Sequence, residues 1–242
     1  MKQLEVKSLM ENKINEFRNL IRIGGILYLV LIVCGIYAEI FVLSELVVGN
    51  DQTATANNIL SHEALYRSGV VAHIVTLVCS ALLLGILFKI FKSTSEYLAM
   101  SMLIFNVAAV AVEAVSILHE FETISILKSK MLASAFTPDQ INSLAYLPLK
   151  MQSIGYDLAL LFFGVVCCLI SALILKSKLF FRWIGFLMLL AGVCYLTNSI
   201  VSFISPAFRN YLLPFILIPC LIAELSLSIN VIVGSRATGQ SS

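Results

Sequence analysis

Apolar residues fall in six long runs, at 20–43, 66–88, 98–118, 154–175, 183–204 and 211–233, separated by stretches that carry most of the charge. Each run reaches the roughly 20 residues that carry a helix across a hydrocarbon core about 30 Å thick. None alternates with the period of two that a membrane strand requires, and backbone polar groups in hydrocarbon must pair within their own segment. The pattern predicts an all-α polytopic membrane protein, a bundle of six transmembrane helices over 20–233, flanked by tails at 1–19 and 234–242.

The polar intervals carry signals of their own. In the first tail Met10, Ile14, Phe17 and Ile21 recur at helical spacing, which fits either a solvated tail or a short helix lying at the interface. Residues 53–59 predict a turn or two of helix in the first loop, with Ser61 as N-cap of the second span. The longest connection, 120–153, holds Thr137, Pro138 and Gln140, a cap, a first-position proline and a capping-box partner. A short helix is expected from there toward Leu147, with Pro148 interrupting it. Short connections near 93–96 and 176–182 pair spans two with three and four with five. Pro206, Pro214 and Pro219 predict a kink or late start in the sixth span.

Composition agrees with a membrane solvent: 60% of residues are hydrophobic and 12% charged, with a mean hydropathy of +0.97, whereas soluble domains run near 25% charged. Charge distribution matters more than the net +2. Lys2, Lys7, Lys13, Arg18, Arg22, Lys89, Lys92, Lys176, Lys178, Arg182 and Arg236 fall to one side of a six-span chain. Arg67, Lys128, Lys130, Lys150 and Arg209 fall to the other. The excess places both termini in the cytoplasm. The first run is longer than the apolar core of a cleavable signal and is expected to stay as an anchor. All six cysteines lie within spans, without a CxxC pair, and read as packing residues.

Within the runs, helical spacing sorts polar and small residues onto single faces, among them Asn106–Ala109–Glu113–Ser116–Glu120 and Tyr195–Asn198/Ser199–Ser202. Such faces belong at helix contacts. The ionisable members are different, because a charge at the bilayer centre costs about 2.5–3.5 kcal/mol even on lenient scales. Glu39, His73, Glu113 and Asp157 fall in the outer half together with the amide Asn198, Glu224 lies deeper, and Arg67 sits at the outer mouth of span two, where it can pair with an acid. These seven are the candidate ligand- or ion-binding residues, lining an outward-facing polar cavity.

Three functions fit them. The first is small-ligand or proton/cation-coupled transport, with Glu224 as the exchanging carboxylate. The second is a membrane-embedded enzyme acting on an apolar substrate, using His73 with a nearby acid. The third is a non-catalytic assembly or sensing protein in which the charges fix helix register. His119–Glu120 lacks the HExxH spacing of a zinc protease, and no Walker loop, GxGxxG or basic–aromatic nucleic-acid surface occurs. No metal and no cofactor is expected; the expected partners are the lipid bilayer and a small-molecule or ion ligand.

Five stretches in order carry a likeness to a known group: GIYAEIFV at 35–42, ATANNIL at 54–60 with LYR at 65–67, GYDLALLFFG at 155–164, GFLMLLAGVCY at 185–195 and PCLIAE at 219–224. Together they resemble the bacterial integral membrane family known as domain of unknown function 4386. The resemblance implies a six-span protein of the bacterial inner membrane with no assigned activity and no catalytic residues to carry over. Glu39, Arg67, Asp157 and Glu224 stand within the family-like stretches, whereas Glu113 and His119 stand outside them.

Overall fold

The computed structural model describes residues 2–177 and 179–233, so the expected tail at 234–242 and Lys178 lie outside the described residues. Every regular element among them is helical. Helix α1 (Lys2–Ile36) continues through a π-helical segment, Tyr37–Leu43, into the short α2 (Ser44–Leu46); α3 (Gln52–Ser61) follows. Then come α4 (Glu63–Phe91), α5 (Glu96–Leu127), α6 (Lys130–Ala135), α7 (Pro138–Lys176), α8 (Arg182–Ile204) and α9 (Pro206–Val233). Six of these stretches are long and apolar enough to cross a membrane.

Each span packs on its neighbours in chain order, and α1 packs on α9, which closes the bundle. Close backbone approach makes these contacts. A Cβ on Gly192 would lie 2.8 Å from the Gly164 carbonyl oxygen, so α7 and α8 cross with their backbones touching. At the α1–α9 seam the Ser228 hydroxyl donates to the Gly25 carbonyl at 2.9 Å. Two apolar clusters fill the interior. One, at the end where the termini lie, includes Tyr28, Ile32, Met102, Leu173, Met188 and Leu227. The other, at the end that carries α3 and α6 (the cap end), includes Val42, Ile59, Tyr66, Ile117 and Tyr146.

Several expectations are corrected. The first tail is drawn into the same helix as span one rather than forming a separate interfacial element. Helix α3 ends at Ser61 and α4 begins at Glu63, so Ser61 closes one helix instead of capping the next. The capping box at Thr137 and Gln140 forms as expected, but the helix it starts runs through Pro148 to Lys176 without a break. A proline inside a helix forfeits one hydrogen bond and strains the preceding turn, by about 3 kcal/mol. Here Pro148 is buried on a helix packed along both α5 and α3, and that packing outweighs the defect. Likewise α9 begins at Pro206 itself and stays helical through Pro214 and Pro219.

Candidate functional site

Polar residues of three spans meet at His73. Span one contributes Glu39 from the π-helical segment. A π-turn admits one extra residue into the helix and re-aims the side chains beyond it, a device frequent at functional sites. The segment is held to α4 by a 2.7 Å hydrogen bond between the Tyr37 and Ser68 hydroxyls. Its Val42 sits where a Cβ on Gly69 would be only 2.7 Å away. One turn on from Gly69, α4 presents His73, which is buried.

The imidazole lies between two carboxylates from two other spans. Its Nδ1 is 2.7 Å from Oε1 of Glu120 on α5, and its Nε2 is 3.3 Å from Oε1 of Glu39. The first contact is a hydrogen bond between buried groups. The second is an ion-pair approach without hydrogen-bond alignment: Nε2 and Oε1 are both buried and neither has a hydrogen-bond partner among the described residues. The two acids differ in environment, for the side chain of Glu120 is 1% exposed and that of Glu39 33%. The Glu120 backbone carbonyl is tied in by the Tyr66 hydroxyl at 3.0 Å. Glu113 stands two turns from Glu120 on α5 and interacts with the charges of His73, Glu39 and Glu120.

Proton counting sets what this triad can do. Two close N···O approaches to one imidazole need two protons, shared between ring nitrogens and carboxyl oxygens. The arrangement with an imidazolium and two carboxylates and the arrangement with a neutral ring and one carboxylic acid carry the same net charge. Moving between them shifts a proton and leaves the total unchanged.

Two further acids are each held by a hydroxyl on α8. Asp157 of α7 is buried and accepts from the Ser202 hydroxyl. Glu224 of α9, also buried, accepts from the Tyr195 hydroxyl at 2.6 Å. Asn198 and Ser199 lie between those hydroxyls on α8, both buried, with Oδ1 and Oγ lacking hydrogen-bond partners among the described residues. Tyr156 of α7 packs beside the imidazole, its ring centroid 6.3 Å from that of His73.

Of the seven residues singled out from sequence, Glu39 and His73 come together, and Glu113 stands two turns from Glu120 on the same face of α5. Asp157 meets Ser202 near the cap end of α8, Asn198 lies a turn below on the same helix, and Glu224 meets Tyr195 two turns from Ser202, deeper in the bundle. Arg67 does not join them. Its guanidinium bonds Glu63 at 2.8 Å on the surface, and Glu63 also takes Lys128 at 2.7 Å. Arg67 sits at the start of the second turn of α4, nearly two turns before His73, and Glu63 one turn before it satisfies the charge locally. A shallow cleft lies beneath α3, lined by residues that include Gln52, Thr55, Ile59, Thr123, Tyr146 and Leu149; none of the carboxylates lines it.

Glu120 is the residue that sequence reasoning passed over. The hydropathy run ends at 118, and 120 was expected to open a loop, but α5 continues to Leu127. The signal was the stripe, because Glu120 continues Asn106, Ala109, Glu113 and Ser116 along one face. His119, its neighbour, points elsewhere and pairs with Glu122 at 3.1 Å. Among the described residues no three His, Cys, Asp or Glu side chains converge to hold a metal ion.

The family model described as Domain of unknown function (DUF4386) matches residues 23–233. No curated protein and no solved structure matches the chain.

Proposed function

Given that the chain belongs to the DUF4386 family, whose description assigns no activity, we propose from the site itself that it is a proton-coupled membrane transport protein. The exchange group is the Glu39–His73–Glu120 relay. The observation that carries this reading is the imidazole with each ring nitrogen facing a carboxylate from a different span, at 2.7 and 3.3 Å.

The chemistry is a proton hand-over. A carboxylic acid at Glu39 gives its proton to Nε2 while Nδ1 gives its own to the Glu120 carboxylate. Glu39 ends as carboxylate, the ring ends neutral with its proton on Nε2, and Glu120 ends as acid. Charge is conserved throughout. The His73 and Glu120 side chains are buried against one another, and the cleft beneath α3 does not reach them. A proton is the species such a packed site exchanges without being rebuilt.

A second reading has its own support. Ser202–Asp157 ties α8 to α7 and Tyr195–Glu224 ties it to α9, as a network that only fixes helix register would. Reconstitution separates the two. Liposomes holding the purified protein and an internal pH dye should show proton flux above protein-free liposomes. His73→Gln and Glu120→Gln should each lower it at least tenfold, while Arg67→Ala leaves it unchanged. Wild-type flux in both relay variants would sink the transport reading in favour of the register network.

A further inference from the structure

We infer that the corner where the α4–α5 and α7–α8 turns meet binds the phosphate headgroup of an anionic phospholipid, through Arg182, Lys176 and Lys89. The corner lies about five turns along α4 from His73, at the end that holds the termini, and does not depend on the relay.

Packing makes the corner. Phe91 closes α4, and Phe180 lies in the turn between α7 and α8. Both rings are buried, and their centroids lie 5.7 Å apart. That contact brings segment 89–96 up against segment 176–182. Together the two segments hold Lys89, Lys92, Lys176, Lys178 and Arg182, with Glu96 as the single acid.

Three of these cations have a local account. Lys92 pairs with Glu96 at 3.3 Å and lies 5.8 Å from the centroid of the Phe88 ring. Lys89 and Lys176 sit in the last turns of α4 and α7, where a cation meets the negative end of the helix dipole. Arg182 has no such account. It opens α8, at the positive end of that helix, and the N-cap Phe181 supplies no side-chain acceptor there. Among the described residues Lys89, Lys176 and Arg182 form no ion pair, and all three are exposed. The cap end is treated differently, for Glu63 takes both Arg67 and Lys128. What the corner lacks is an anion from outside the chain.

Its surroundings make that anion a lipid headgroup. Trp183, next to Arg182, is 51% exposed, and Tyr97, next to Glu96, is 80% exposed. Such residues settle at the headgroup level of a membrane. Both stand at the ends of apolar spans, where phospholipid phosphates lie. A guanidinium gives a phosphate two parallel hydrogen bonds, and lysines beside it add point charge. Basic pockets at span ends take anionic headgroups in this way.

Thermal unfolding of the full chain in detergent tests the site, with dioleoylphosphatidylglycerol, dioleoylphosphatidylcholine or inorganic phosphate added. At about ten times its Kd, phosphatidylglycerol should raise the unfolding temperature by about 4 °C, and the other two should leave it within about 1 °C. Arg182→Gln combined with Lys176→Gln should abolish the rise. Lys130→Gln combined with Lys150→Gln removes the same charge at the cap end and should keep it. Lys89→Gln, which leaves α8 untouched, should reduce the rise, so the test does not hang on the Arg182 variant folding. No rise with phosphatidylglycerol, or an undiminished one in Lys89→Gln, would overturn the inference. So would an equal rise with phosphatidylcholine, which is bulk lipid solvation, or with inorganic phosphate, which is a soluble-anion effect. Equal loss in both double variants would reduce the site to net charge and overturn it as well.

Discussion

Glu120 and Arg67 are both charged, both near the cap end of a helix, and energetically opposite. Glu120 is enclosed, with the His73 ring as its partner at 2.7 Å. Removing one member of a buried pair leaves the other without compensation, at a cost of about 3–5 kcal/mol. Glu120→Ala should therefore lower stability by that order in a detergent unfolding titration, and Glu120→Gln, which keeps an acceptor oxygen for Nδ1, by clearly less. Arg67 pairs in the open with Glu63, where solvent already screens the interaction. Arg67→Ala should leave the unfolding midpoint where it is. Equal losses in the two alanine variants would contradict this assignment of the buried pair. The contrast was not legible from residue type, because hydropathy ranks both residues alike. What distinguishes them is position: Glu120 continues a polar stripe that meets His73, whereas Arg67 has an acid four residues before it on its own helix.

At the scale of helices, the close crossings and the π-helical segment make separate predictions. Gly192 touches Gly164 across the α7–α8 seam, so an added methyl meets backbone that cannot move aside. Gly192→Ala should cost about 1–3 kcal/mol, as overpacking does. Gly85 has nothing within 4 Å of its would-be Cβ, and Gly85→Ala should be neutral or slightly stabilising through helix propensity. Thermal unfolding of the two variants in the same detergent checks both. The π-segment carries one residue more than an α-helix of the same length. Deleting Phe41, which is exposed, should return it to α-geometry, keep the helical circular dichroism, and abolish proton flux by turning Glu39 away from His73. Flux retained in the deletion would show that the π-turn does not aim Glu39. Hydropathy located the six spans and Thr137–Gln140 located a helix start, because burial in lipid and capping are local rules. The π-turn and the unbroken passage through Pro148 depend on which helices pack alongside, and no local pattern carries that.

For the molecule as a whole, the six-span bundle closes on itself between α1 and α9 around two apolar clusters. A closed bundle of this kind looks much the same in either orientation, so the geometry is silent on which end faces the cytoplasm and the charge bias has to decide it. The cap end carries α3 and α6, with Lys128 neutralised by Glu63; the opposite end collects most of the lysines and arginines. Three spans separate Asn12 in the first part of α1 from Ser134 in α6, so they lie on opposite faces, and both are exposed. The native cysteines all lie within spans, which lets an introduced thiol report its own side. A membrane-impermeant maleimide should label Ser134→Cys in intact cells and Asn12→Cys only after permeabilisation. The reverse pattern would invert the molecule. The relay would then sit nearer the cytoplasmic face.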